Sequence, residues 1–170
     1  MAAPADHLEI VHTIVVPAPP ARVLTAFFDG RDLTAWWQVS RSVTVPRPLG
    51  TYAVEWATTS FSDDVLGPLG GAFHGTVMDY RPSQGFFVAD AYWQPPEGEP
   101  VGPMALEVTC RAVGDGRATQ VTVRQSAEDE GPRWQRYFEL TGRGWERALW
   151  DMRDHFALEA ARAARDAGQP

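Results

Sequence analysis

The chain has 170 residues, of which 44% are hydrophobic and 22% are charged, a composition typical of one folded globular domain and not of a disordered segment. Its formal net charge of −7 argues against a nucleic-acid backbone or an anionic membrane as the main partner. The sequence lacks lysine and asparagine, which excludes a Schiff-base lysine, a Walker-type phosphate lysine and a Cys-His-Asn triad.

The first third of the chain predicts a strand followed by two short helices. β-Branched residues dominate positions 8–16, which predicts the strand. Prolines at 19 and 20 can open a helix, and we expect that helix to stop at Gly30. A second short helix would carry Leu33, Trp36 and Trp37. After it, Tyr52, Val54 and Trp56 alternate with smaller or polar residues and predict a strand.

Further strands are predicted at about 72–80, 85–93, 104–112 and 118–126, with Gly- and Pro-containing turns between them. Their alternation of apolar and polar residues is typical of an antiparallel sheet with one face covered. Cys110 lies within this alternation, so we interpret it as a buried thiol without a disulfide partner.

The end of the chain predicts one long amphipathic helix over about 133–164. Its apolar residues recur every three or four positions, at Trp134, Phe138, Thr141, Trp145, Leu149, Met152 and Phe156. Gly142 and Gly144 each cost about 1 kcal/mol relative to alanine inside a helix. They indicate either close contact with the sheet or room for a ligand. At about 1.5 Å per residue the helix would exceed the width of a small domain, so its Ala- and Arg-rich end should overhang.

Targeting and cofactor signals are missing from the sequence. The N-terminus has no basic run followed by an apolar core, and no apolar stretch approaches the roughly 20 residues of a membrane span. We therefore expect a soluble cytoplasmic protein. No glycine-rich nucleotide loop and no metal-ligand spacing occurs, so we expect no cofactor and no metal.

Five short motifs in this order resemble the START/Bet v 1-like (SRPBCC) superfamily, and within it the AHSA-type bacterial homologues of the Hsp-ninety ATPase activator. The motifs are residues 16–23 (VPAPPARV), 32–37 (DLTAWW), 50–52 (GTY), 73–77 (FHGTV) followed by Arg81 and Pro82, and 144–149 (GWERAL). The sequence departs from the family pattern at Leu49, where the first glycine of a pair is usual, and at Met152, where leucine is common.

The resemblance implies an α+β helix-grip fold, in which a curved antiparallel sheet of about six to seven strands wraps around a long C-terminal helix. Two short helices would follow the first strand, and a cavity would lie between sheet and helix. We expect one such domain over residues 8–158, with flanking tails at 1–7 and 159–170.

The seven tryptophans give the leading hypothesis for function, a domain that binds a hydrophobic or aromatic small molecule in an apolar cavity. The alternative for each aromatic residue is that it simply fills the core. The predicted ligand-binding residues are Trp37, Tyr52, Trp56, Phe73, Trp93, Met104, Trp145, Leu149, His12 and His74.

Two other functions stay open at this point. A cyclase, dehydratase or hydrolase would need at least two of His12, Glu55, His74 and Asp90 to meet in a cleft. An interaction module resembling the chaperone-ATPase activator would need an exposed docking surface. A homodimer, paired through exposed aromatic side chains of residues 59–71 and 94–103, is a further alternative.

Overall fold

The computed structural model describes residues 6–169 and has the predicted α+β architecture. Residues 1–5 and 170 of the predicted tails lie outside the described part. The elements in chain order are β1 (His7–Val16), α1 (Pro20–Ala26), α2 (Gly30–Trp37), β2 (Arg41–Thr44), β3 (Thr51–Trp56), β4 (Ser62–Asp63), β5 (Gly67–Pro68), β6 (Gly71–Arg81), β7 (Gly85–Gln94), β8 (Val101–Val113), β9 (Ala118–Glu128) and α3 (Pro132–Ala167).

Seven strands form one antiparallel sheet in the order β1-β9-β8-β7-β6-β3-β2, and α3 packs across its inner face. The inner face is apolar because alternate residues of each strand point to the same side. Val121 and Val123 of β9 and Leu106 and Val108 of β8 are fully buried in this way. The thiol of Cys110 is buried with them, and burial raises its pKa to about 12.

The predicted stripe of α3 faces this sheet. Its buried side chains are Tyr137, Phe138, Trp145, Ala148, Leu149, Met152 and Phe156. The helix continues past the core, and residues 157–169 are exposed along its last turns, as the overhang prediction required. The part of the predicted C-terminal tail up to Ala167 is therefore helical.

The two short helices differ from the prediction in where they meet. Helix α1 ends at Ala26, and Gly30 opens α2 and does not end α1. The reason is the neighbouring Asp29, whose carboxylate accepts the N–H groups of Arg31 and Asp32 at 3.0 Å and so caps the start of α2. His7, expected in a terminal tail, begins β1.

A half-buried charge cluster joins both short helices to α3. The Arg22 guanidinium donates two 2.7 Å hydrogen bonds to the Asp32 carboxylate and contacts Glu159 at 2.9 Å. His155 Nε2 lies 2.9 Å from Asp32 Oδ1. Burial raises the pKa of Asp32, but the hydrogen bonds and charges of Arg22 and His155 outweigh it, so the pKa is lowered overall.

No helix of the described residues is both long enough and apolar enough to span a membrane. Within residues 6–169 there is also no cluster of three or more His, Cys, Asp or Glu side chains that could hold a metal ion.

The charge cluster predicts how stability depends on pH. Because the pKa of Asp32 is lowered by folding, its contribution is present above its unfolded value of 3.8 and is lost as the pH falls below it. Asp32→Asn should cost about 2 kcal/mol of unfolding free energy at pH 7, since it leaves Arg22 and His155 without the carboxylate. Urea unfolding at pH 7 and near pH 3 measures both values, and the difference between variant and wild type should shrink at the lower pH.

Asp79→Asn is the control, because Asp79 pairs with Arg81 and both side chains are exposed. Exposed ion pairs contribute at most about 1 kcal/mol. Equal stability losses for the two variants would contradict the structural role of the cluster.

The two glycines of α3, Gly142 and Gly144, predict that a substitution can increase the stability of the fold. A Cβ at Gly144 would have no heavy atom within 4 Å, and one at Gly142 would meet only Ile10 Cγ1 at an ordinary 3.8 Å. Gly142→Ala and Gly144→Ala should therefore each stabilise the fold by about 0.5–1 kcal/mol through helix propensity. Thermal unfolding of both variants tests this, and destabilisation by either would show a close contact that the structure lacks.

Candidate functional site: an aromatic cavity under the long helix

A cavity of about 540 Å³ lies between the inner face of the sheet, the C-terminal end of α2 and the middle of α3. Its size falls within the range of about 300–1,000 Å³ that is usual for small-molecule sites. The aromatic residues of its wall are Trp36, Trp37, Trp56, Phe73, Trp93, Tyr137 and Trp145. Neighbouring strands and two helices thus contribute large rings to one space.

Trp37 is at the centre of one aromatic wall. Its ring stacks on Trp36 with centroids 5.0 Å apart, meets Trp56 edge to face at 5.1 Å and lies 4.6 Å from Trp145. Gln38 places it there, because a left-handed backbone (φ 58°) at Gln38 ends α2 directly after the tryptophan pair. On the other wall, Trp93 of β7 stacks on Tyr137 of α3 at 5.0 Å.

Each of four wall tryptophans has its indole N–H bonded to the protein. Trp36 Nε1 donates to the Ala26 carbonyl at 2.9 Å, Trp56 to that of Trp37 at 3.0 Å and Trp93 to that of Gly70 at 2.9 Å. The fourth, Trp145, donates to the Gln125 side-chain oxygen at 2.8 Å. These bonds fix the rings in place, and of the four only Trp56 is half-buried, since Trp36, Trp93 and Trp145 are 0%, 5% and 3% exposed.

One buried amide forms the deepest polar group of the site. Gln125 of β9 accepts from Trp145, and its nitrogen donates to Tyr137 at 3.2 Å and lies 2.9 Å from the sulfur of Met104. Burial raises the pKa of Tyr137 to about 12, against the opposing hydrogen bonds to Gln125 and Thr141, so its hydroxyl is neutral at ordinary pH. Every buried side-chain nitrogen and oxygen of residues 6–169 has a hydrogen-bond partner.

Residues 57–70, called the covering segment below, close one side of the cavity. The segment pairs mainly with itself, through the two-residue strands β4 and β5, and inserts Leu66 and Leu69 into the wall. Asp63 holds it to α3: one carboxylate oxygen accepts from Arg136 at 2.7 and 2.9 Å, and the other accepts the N–H groups of Val65 and Leu66.

Gly70 and Gly71 end the covering segment in backbone conformations that suit glycine. Their φ angles are 114° and 83°, and a Cβ at either position would approach a carbonyl oxygen to within 2.5 Å. The chain can therefore turn sharply from the segment into β6 only with small residues here.

The cavity meets solvent at a polar rim, formed by Gln38, Thr58, Thr59, Arg147 and Asp151. Arg147 is exposed and Asp151 is half-buried, one helical turn apart on α3. The site therefore changes from ring surfaces inside to hydrogen-bonding and charged groups at its opening.

Five of the ten predicted ligand-binding residues line this cavity: Trp37, Trp56, Phe73, Trp93 and Trp145. Three others are buried beside it. Tyr52 donates its hydroxyl hydrogen to the Phe27 carbonyl at 3.1 Å, Met104 lies behind Gln125, and Leu149 belongs to the packed core of α3. Burial raises the pKa of Tyr52.

The two predicted histidines do not line the cavity. His12 is half-buried on β1 opposite Val123, and His74 is exposed on the outer face of the sheet, where it stacks on Tyr92. His74 faces outward because its neighbour Phe73 faces inward, and successive strand residues point to opposite faces.

The carboxylates of the enzyme hypothesis also lie away from the cavity. Glu55 pairs with Arg41 at 2.7 Å, and Asp90 is exposed at an irregularity of β7, with φ 51°. The structure thus does not bring His12, Glu55, His74 and Asp90 together in a cleft.

Sequence reasoning missed one wall tryptophan and the polar and covering parts of the site. These residues are Trp36, Leu66, Leu69, Gln125, Tyr137, Arg147 and Asp151. Gln125 had a usable signal, because it continues the inward phase of Val121 and Val123 on β9. The Gly and Pro residues of 59–71 were a usable signal for a long segment at the mouth of the cavity, but its contact with Arg136 had none, since it joins residues 73 positions apart.

The Asp63 contact predicts the behaviour of the covering segment. Asp63→Asn removes the charge that Arg136 pairs with, so the amides of Val65 and Leu66 should exchange with solvent severalfold faster while the sheet stays protected. Hydrogen exchange followed by NMR measures this, and Asp64→Asn, which alters an exposed neighbour, is the control.

The same contact should respond to acid. The hydrogen bonds from Arg136 lead the effects that lower the pKa of Asp63 to about 2, so the contact should persist at pH 4 and be lost as the pH falls toward 2. Unchanged exchange in Asp63→Asn would contradict the holding role of Asp63.

Comparisons with known proteins identify the family. The family described as Activator of Hsp90 ATPase homolog 1-like protein matches residues 17–157. A search of the curated proteins found no match.

Solved structures share the fold at low sequence identity. Protein CV1439 from Chromobacterium violaceum is 21% identical with a TM-score of 0.60, over 87% of this chain and 96% of that one. A protein of unknown function from Staphylococcus aureus, SA2116, is 13% identical with a TM-score of 0.62, over 92% and 97%. The Aha1 dimer from Colwellia psychrerythraea is 15% identical with a TM-score of 0.57, over 88% and 96%.

These structural likenesses concern the fold alone. The family match covers most of the chain and includes four of the five motifs in full and nearly all of the first. The chain therefore belongs to the Activator of Hsp90 ATPase homolog 1-like family.

Proposed function

We propose that this protein binds a hydrophobic, ring-containing small molecule in the cavity under α3. The observation that carries the proposal is a space of about 540 Å³ whose aromatic walls are fixed by hydrogen bonds to the protein itself. A cavity of this size with an apolar lining favours a ligand whose apolar surface leaves water and packs against the rings of the wall. Each Å² of apolar surface buried in this way contributes about 25 cal/mol to the binding free energy.

Core filling accounts for the buried rings of the wall, but it does not account for the space beside the half-buried Trp37 and Trp56. Protein interiors are packed to the density of organic crystals and contain few voids larger than a water molecule. Here five tryptophans and a tyrosine surround a space to which α3 also presents two small residues, Gly144 and Ala148. Small helix residues opposite large rings preserve the space.

Two rival proposals have less support. An activator-like interaction module would need an exposed docking surface, and the exposed large apolar side chains are spread over several elements, such as Val15 on β1, Val43 on β2 and Leu158 on α3. For a homodimer through residues 59–71 and 94–103, Phe61 is the only aromatic residue in either segment, so the predicted pairing of aromatics from both was wrong. Because one structural neighbour, Aha1 from Colwellia psychrerythraea, is a dimer, dimerisation of this chain is a separate proposal.

Naphthalene, a fused-ring probe without polar atoms, tests the proposal. Titrated into the full chain, it should shift the indole N–H resonances of Trp37, Trp56, Trp93 and Trp145 in a saturable way. Trp150 should not respond, because it is 52% exposed on α3, outside the cavity, under the guanidinium of Arg153.

Ala148→Leu fills part of the cavity and should weaken naphthalene binding about tenfold, because added methylenes occupy the space of the ligand. Ala157→Leu, the matched change on the exposed part of the same helix, should leave the affinity unaltered. Absence of saturable shifts at the four wall tryptophans, or equal affinities in both variants, would overturn the proposal.

A further inference from the structure

The polar groups at the opening of the cavity indicate which class of ligand it accepts. This inference rests on the proposed function, since it concerns the part of a bound molecule that reaches the rim. Inside, the hydrogen-bonding capacity of Gln125 is taken up by Trp145, Tyr137 and Met104, so a buried polar group on the ligand would meet few partners. The buried part of the ligand should therefore be apolar.

The rim carries two opposite charges, and each is without an ion-pair partner among residues 6–169. Arg147 and Asp151 both line the cavity, and neither forms an ion pair with any residue of 6–169. They are four residues apart on α3, so their Cβ atoms lie about 6 Å from each other. The order Arg before Asp is the less favourable one for pairing along a helix, which accords with their separate orientation.

A charged head group on the ligand would be attracted by one of these residues and repelled by the other. A carboxylate near Arg147 would lie within about one helical turn of Asp151, and an ammonium near Asp151 would lie as close to Arg147. A hydroxyl or amide avoids this conflict, because it can accept from Arg147 and donate to Asp151 at once. The net charge of −7 further disfavours an anionic head.

The wall holds a further hydrogen-bond donor that has no partner among residues 6–169. Trp37 is half-buried, and its indole N–H, unlike those of the other four wall tryptophans, makes no hydrogen bond within residues 6–169. An oxygen acceptor on the ligand between ring body and rim would satisfy it.

We infer that the cavity selects an uncharged amphiphile, a fused-ring or branched apolar body that ends in a hydroxyl or amide held between Arg147 and Asp151. Charged molecules with the same body would bind less tightly, and the two rim residues would set that preference in opposite directions.

Three naphthalene derivatives with one body and different heads test the inference: naphthylmethanol, naphthylmethylamine and naphthoate. At pH 7 they are neutral, cationic and anionic. Their dissociation constants are measured on the full chain from the indole N–H shifts, in 0.1 M salt. The neutral alcohol should bind most tightly, by about twofold to fivefold over either charged probe, the range expected for exposed charges.

Rim variants distinguish this preference from the general cost of moving a charged ligand out of water into an apolar cavity. Arg147→Gln should favour the amine over naphthoate by about twofold to fivefold relative to wild type, and Asp151→Asn should favour naphthoate over the amine by a similar factor. Neither side chain belongs to the buried residues of α3, so both variants should fold. Arg153→Gln removes the same charge from α3 outside the cavity and should leave the ratio unchanged.

Opposite shifts of the amine-to-naphthoate ratio in the two rim variants would support the inference. An identical ratio in wild type, Arg147→Gln and Asp151→Asn would overturn the head-group assignment while leaving cavity binding intact. If none of the three probes shifts the wall tryptophans, the proposed function fails and the inference fails with it.

Discussion

The indole hydrogen bond is the interaction on which the site depends. A tryptophan side chain that bordered an empty space would gain contacts by rotating into it, and the cavity would shrink. Here Trp36, Trp56 and Trp93 are each held by a backbone carbonyl, and Trp145 by Gln125. Rotation of any of these rings would leave a buried donor and its acceptor unpaired, at about 1–3 kcal/mol. The polar end of each indole thus preserves the space that the apolar end lines.

The same logic extends to the helices that carry the rings. Trp37 must meet Trp145 across the gap between α2 and α3, and no covalent connection sets that distance. The carboxylate of Asp32, which binds Arg22 of α1 and His155 of α3, sets it instead. The contact between His155 and Asp32 thus joins α3 to α2 outside the cavity, and the bidentate bond from Arg22 to Asp32 restricts the angle between α1 and α2.

Much of this arrangement could be predicted from the sequence, because periodicity determines which side chains face inward. Alternation on β3 and β7 placed Trp56 and Trp93, and the helical stripe placed Trp145. Periodicity does not distinguish an inward residue that borders a void from one packed against neighbours, which is why Leu149 was included with them. The prediction for His74 conflicted with that for Phe73, since adjacent strand residues cannot share a face. Asp63 and Arg136 meet only through the tertiary fold, so no local pattern marked their contact, although the Gly and Pro residues of 59–71 marked a long segment there.

Contacts with several elements hold the covering segment over one side of the cavity. Besides its pairing with itself, it is held by the Asp63–Arg136 contact, by the insertion of Leu66 and Leu69, and by the bond from Trp93 to Gly70. A ligand that touches the two leucines buries apolar surface only while the segment is closed. Such a ligand binds the closed arrangement more tightly than the open one, and by that difference in affinity it stabilises the closed state. The rim is shared between the two, since Thr58 and Thr59 belong to the covering segment while the charged residues Arg147 and Asp151 belong to α3. The charged contacts with a head group and the apolar contacts with the two leucines are therefore carried by different elements of one site.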